Sequence, residues 1–172
     1  MIRKRDYDRE NMMNRFADTA VHNTQIDSGA RLRARLHPRC VVCSLDHPCG
    51  LGLCFVPGAD DTIMADFELD QTAEGYVGWS HGGIISAVLD GAMTNWLFAH
   101  GLTGVTGELN IRFRHPVLLG EPTQVTARLK SASHPLYELE AQITQNNQLK
   151  ARATGRFMHT QHGGERSMVV DG

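Results

Sequence analysis

The sequence predicts an α+β fold in which one long apolar helix lies on the face of an antiparallel sheet. Three observations predict it. Residues 82–99, GGIISAVLDGAMTNWLFA, are apolar nearly all round and too long for a typical strand, so they form a buried helix. From 104 to 159 apolar and polar residues alternate in four runs, interrupted at Gly120 with Pro122, Ser133 with Pro135, and Asn146-Asn147. Short turns between such runs imply antiparallel neighbours, here in meander order, and a lone apolar helix beside them must bury itself on the sheet.

Along the chain, residues 1–36 are polar and form an N-terminal extension, with a short helix at 6–17. Arg31, Arg33 and Arg35 alternate with Leu32, Ala34 and Leu36, a run too short to separate helix from strand. The domain itself is expected over 37–159, opening with the cysteine-rich lead-in HPRCVVCSLDHPCGLGLC. Two strand-like runs follow, LCFV (53–56) and TIMADFEL (62–69). In the second, Ile63, Ala65, Phe67 and Leu69 share one face, the period of a half-buried strand. After the helix come VTGELNIRFRH, TQVTARLKSA, LYELEAQITQ and QLKARATGRFM, with Asn146-Asn147 as a tight hairpin turn. Residues 160–172 are expected as a tail.

Composition narrows the function classes. The 172 residues carry a formal net charge of −2, with 41% hydrophobic and 21% charged residues, an ordinary globular balance. Nothing in it points to nucleic acid or membrane as a partner. The opening MIRKRDYDRENMM lacks an apolar h-region, and no run is long enough to span a bilayer, so a cytoplasmic location with reduced thiols is expected. Basic residues are segregated: nine of the 17 Lys and Arg precede Cys40 and the other eight lie from Arg112 onward. An anionic ligand near the helix therefore meets cations only from the extension, the late strands or another subunit.

One residue breaks the apolar helix. Asp90 is the only Asp, Glu, Lys or Arg from Gly75 through Gly107, and it stacks with Ser86 and Thr94 on one helix face. Burying a carboxylate is costly unless it is paired or hydrogen-bonded. It lies nine residues after His81, at the head of His81-Gly82-Gly83. A helix N-terminus offers unpaired N–H groups and a dipole that favours negative charge, and glycines let a ligand approach that backbone. Such a turn can serve as an oxyanion site. The bland alternative makes Asp90 a structural acid bonded to Thr94, Ser86 or a neighbouring strand. Ser80 is a candidate N-cap.

HGGIISAVLD, followed by TGELNIRFRHPVLLGE and ending in ARATGRFM, resembles the hotdog-fold acyl-CoA thioesterases, particularly the phenylacetate-pathway type. CVVCSLDHPCGLGLCF is similar to the segment that precedes the domain in many bacterial members. The resemblance covers roughly 37–159. It implies a five- to six-stranded antiparallel sheet wrapped around the helix, and a homodimer or dimer of dimers with active sites between subunits. It implies that Asp90 is the catalytic carboxylate, acting as base or nucleophile. Gly82 supplies the N–H that polarises the thioester carbonyl, with Gly83 beside it at the acyl group. His81 orders the turn, and Thr106 helps to place water. Some members carry Asn or Gln six residues before the histidine; Gly75 stands there in this chain. The implied substrate is an acyl-CoA, with no cofactor; the alternative is an acyl-CoA-binding module without catalysis.

Two side-chain sets remain. Arg112 and Arg114 point to one face of their strand, and guanidinium groups suit the phosphates of CoA. Cys40-x-x-Cys43 with His37 or His47 could bind zinc, as in a zinc-stabilised interaction protein. No second knuckle follows at the usual distance. The expectation is therefore no metal, with Cys40, Cys43, Cys49 and Cys54 reduced and packing a loop onto the sheet.

Overall fold

A computed structural model describes residues 29–160 of the 172. The helix expected at 6–17 and the tail from 161 onward lie outside the described residues. The arginine-rich run resolves as helix: residues 29–36 form α1. Six strands and a second helix follow: β1 (Val56–Pro57), β2 (Ile63–Phe67), α2 (Gly82–Ala99), β3 (Gly104–Phe113), β4 (Thr123–Ser133), β5 (Leu136–Gln145) and β6 (Gln148–His159). Asn146 and Asn147 both take the positive φ of a tight hairpin turn, as their sequence predicts.

All six strands form one antiparallel sheet in the order β1-β2-β4-β5-β6-β3. This corrects the expected meander of four. Only β4, β5 and β6 run in sequence order. The short link from α2 drops β3 onto the far edge beside β6, and residues 114–122 carry the chain back across to β4. The alternation pattern reports which face a residue occupies, not which strand lies next door.

The sheet curves around α2. Val88, Leu89, Ala92, Met93 and Leu97 are fully buried against Val125, Leu139, Ile143 and Phe157 from the strands. Ile63, Ala65 and Phe67 of β2 face the same core, with Leu69 just beyond the strand. The opposite side of α2 is covered by residues 37–55, of which Val42, Cys43, Leu53 and Phe55 join the core. Contact there is close enough to need glycine: a Cβ at Gly91 would lie 2.6 Å from a Val42 methyl. The Arg33 guanidinium of α1 donates to Asn95 Oδ1 of α2 at 3.4 Å. Residues 29–55 thus form a second layer on the helix that its apolar circumference requires.

Candidate active site

The N-terminus of α2 is held by a hairpin-like loop. Glu74 and Ser80 form an isolated antiparallel bridge, and Gly75 N–H donates to the Trp79 carbonyl at 2.9 Å. A Cβ at Gly75 would lie 2.9 Å from His81 Cα. That packing leaves no room for an auxiliary side chain at Gly75. On the other side, Ser80 N–H donates to the Val117 carbonyl at 2.9 Å, and Trp79 bridges Leu118. Buried Gln145 fixes that strap: it accepts from Leu118 N–H at 3.0 Å, donates to the Leu118 carbonyl at 2.9 Å and donates to Thr123 Oγ1 at 2.7 Å.

His81, not Ser80, caps the helix. Ser80 is still in strand-like pairing, so the helix begins one residue later, and Ser80 Oγ is buried without a hydrogen-bond partner among the described residues. His81 Nδ1 accepts from Gly83 N–H at 2.9 Å, which fixes the proton of a neutral ring on Nε2. That bond occupies the Gly83 amide. The Gly82 N–H has no acceptor among the described residues and is free for a ligand oxygen. Ser86 Oγ turns back to the Gly82 carbonyl at 2.8 Å and is spent within the helix.

Asp90 and Thr106 meet. Thr106 Oγ1 donates to Asp90 Oδ1 at 2.7 Å, and Asp90 Oδ2 has no hydrogen-bond partner among the described residues. Burial pushes the Asp90 carboxyl above its usual range, and the Thr106 hydrogen bond pulls against that shift. The pairing depends on a β-bulge. Thr106 lies opposite Phe157, then the register shifts so that Glu108 faces Arg156 and Leu109 faces Gly155. With the extra residue at Gly107, both Thr106 and the apolar pair Leu109 and Ile111 look toward the helix.

Arg112 and Arg114 do not join the carboxylate within one chain. Leu109 and Ile111 pack on the core, so Arg112 takes the outer face. There it lines an open groove of about 660 Å³ with Arg128, Lys130, Glu140 and Arg152. Arg114 lies just past β3 and is exposed. The side chain nearest Gly82 on that strand is Phe113, whose ring would lie 3.6 Å from a Cβ at Gly82. Tyr76, Val77 and Trp79 are exposed on the loop that leads into the same turn.

The cysteines separate. His37, Cys40 and Cys43 converge, with one ligand atom from each lying within 4.8 Å of the others. Cys49 and Cys54 are exposed free thiols outside that group, and His47 Nδ1 accepts from Cys49 N–H at 3.2 Å. The Cys43 thiol, then His37, hold Cys40 below the ordinary thiol range, and the same pairing with burial pushes Cys43 up.

Residues 78–151 match the model of the thioesterase superfamily, and the helix-in-sheet architecture is that of its hotdog-fold members. This is a hotdog fold. Acyl-coenzyme A thioesterase 13 of Mus musculus is 26% identical over 111 residues, 63% of this chain and 78% of that one. A crystal structure of a thioesterase superfamily protein superposes with a TM-score of 0.66 at 22% identity, covering 69% of this chain and 62% of that one. A hypothetical thioesterase protein of Streptococcus pneumoniae TIGR4, crystallised with coenzyme A, gives 0.59 at 19% identity over 67% and 91% of the two chains. That pneumococcal protein has also been crystallised with alanine replacing an aspartate and, separately, a threonine sixteen positions later.

Within this hotdog fold, sequence reasoning missed Phe113, Gln145 and the bulge at Gly107. Phe113 was visible only as an alternating apolar residue. Gln145 gave no signal, because a glutamine beside a turn is usually solvated. Gly107 in the middle of a strand run was the available sign of a bulge.

Proposed function

We propose that the chain is an acyl-CoA thioesterase that hydrolyses a thioester to a free acid and CoA, at sites shared between two subunits. One observation carries the reading: a partly desolvated carboxylate, Asp90, is held by Thr106 at 2.7 Å with its second oxygen free. The aspartate and threonine replaced in the pneumococcal crystals have the same spacing of sixteen as Asp90 and Thr106, which supports the pairing as functional. The coenzyme A bound to that protein supports an acyl-CoA ligand for this fold.

Helix geometry supplies the rest. The free Gly82 N–H and Asp90 are eight residues apart on α2, about 12 Å along the axis at 1.5 Å per residue. One thioester carbon cannot touch both from one chain. β3 is an edge strand, with β6 on one side and no strand on the other among the described residues. Such an edge is a template for pairing. Pairing β3 with its counterpart in a second subunit sets Asp90 and Thr106 near the boundary, where they can serve the turn of the other chain. In such a site Gly82 N–H binds the carbonyl oxygen, concentrating its effect on the tetrahedral oxyanion. Free Asp90 Oδ2 either takes the proton of an attacking water or attacks the carbonyl carbon itself. Thr106 spends its proton on Asp90 and keeps its oxygen lone pairs to accept from that water.

Release of free CoA thiol over a panel of aliphatic and aromatic acyl-CoAs tests the proposal. Turnover of at least one class is expected. Tight CoA binding with no turnover of any would replace hydrolysis by the acyl-CoA-binding alternative.

A further inference from the structure

His37, Cys40 and Cys43 form a cluster that the hydrolytic reading does not use. The spacing His-x-x-Cys-x-x-Cys winds all three onto consecutive tight turns: Cys40 N–H donates to the His37 carbonyl at 3.3 Å, and Ser44 N–H to the Cys40 carbonyl at 3.0 Å. One ring nitrogen and both sulfurs then lie within 4.8 Å of one another. Val42 N–H is aimed at Cys40 Sγ at 3.4 Å, an arrangement that favours a thiolate. The His37 ring is fixed edge-on against Phe98, centroids 4.8 Å apart. Its Nδ1 is buried and has no hydrogen-bond partner among the described residues. Buried polar atoms are normally satisfied, so an orphan on a ring that converges with two thiols asks for a partner.

We propose that His37, Cys40 and Cys43 bind a divalent metal ion of the zinc class, pinning residues 37–43 onto α2 beside Asp90. Two sulfurs and an imidazole nitrogen are the donors that such an ion selects over magnesium or calcium. Each thiol that ligates gives its proton to solvent. Three protein ligands leave the fourth tetrahedral position to water or a carboxylate. Gly91, next to Asp90, touches Val42 between the two cysteines, and Asp90 is within electrostatic range of Cys40 and His37. This reverses the expectation of no metal. The absence of a second knuckle argues against a closed four-cysteine site, but three converging ligands need no second knuckle.

The proposal is independent of thioester hydrolysis, and so is its test. Reduced, chelator-treated full-length protein is titrated with Co²⁺ alone. Saturation at about one equivalent is expected, with thiolate-to-cobalt charge-transfer absorption and the intense visible bands of tetrahedral cobalt, both displaced by Zn²⁺. Cys40→Ser and Cys43→Ser should each weaken the charge-transfer band by about half or more, since one of two Co–S bonds is lost. Cys49→Ser and Cys54→Ser should keep it. Folded wild-type protein without that band, or a band of undiminished intensity in Cys40→Ser or Cys43→Ser, would overturn the site. The wild-type titration decides even if a substitution unfolds the chain.

Discussion

The first turn of α2 and its middle are built on opposite plans. At the first turn, His81, Gly82 and Gly83 are exposed, and the useful group is a backbone N–H left over once His81 has taken its neighbour. About two turns later the helix is enclosed by strands on one side and residues 37–55 on the other. There the useful group is a side chain, Asp90, whose ionised form is disfavoured by its surroundings. The comparison teaches that one helix can hold a free N–H and a carboxylate without letting them meet. The exposed end is ready to receive a ligand from outside, while in the enclosed middle Asp90 reaches Thr106 on the β3 edge.

The sharpest way to break the comparison is at Asp90. Asp90→Asn keeps size and the Thr106 contact but removes the base, so turnover should fall about 10²–10⁴-fold. Thermal melts of the metal-free protein separate chemistry from folding. Because burial raises the folded carboxyl above its unfolded value, protonated Asp90 stabilises the fold at low pH, and this contribution is lost as pH rises through the folded pKa. Asparagine should therefore melt no lower than wild type at neutral pH, and its advantage should shrink in acid. A clear drop in melting temperature at neutral pH with turnover intact would make Asp90 structural.

Gly82→Pro addresses the exposed end. Proline at the first helical position removes only the N–H in question. His81 already has φ −64° and ψ 133°, the extended conformation that a residue before proline prefers. Folding should survive while turnover falls about 10²–10³-fold, the loss expected of one oxyanion donor. Thr106→Ala should cost about tenfold, the equivalent of one hydrogen bond of about 1.4 kcal/mol. It should also move the acid limb of kcat/KM to higher pH, because the Thr106 bond is what lowers the Asp90 carboxyl. An unmoved limb would detach Thr106 from Asp90. The smallest expected kinetic effect is at Gln145→Ala, which strands the Leu118 groups that steady the turn. Chemical denaturation should show a loss of about 1–3 kcal/mol.

Much of this architecture was legible in the sequence. The helix is found at Gly82–Ala99 and the four late strands within two residues of their apolar runs, because periods of 3.6 and 2 are strong signals over ten residues or more. Asp90 stood out because a lone charge in a buried helix needs a reason. The placement of β3 at the edge did not show, since periodicity carries no strand order. The bulge that turns Thr106 toward Asp90 was hidden by the assumption of strict alternation. That His37 rather than His47 converges with Cys40 and Cys43 does not show in the sequence, where both histidines lie near the two cysteines.

The central claim, that the Gly82 turn of one chain works with Asp90 of another, is tested most directly by mixing two inactive variants. Gly82→Pro and Asp90→Asn proteins are unfolded together, refolded and assayed for CoA release. In a mixed dimer one of the two sites combines an intact Gly82 with an intact Asp90, so random pairing restores about a quarter of wild-type sites. Activity near that level, well above either variant alone, is the predicted result. Mixed dimers, confirmed by mass, that stay as inactive as their parents would contradict a site shared between subunits.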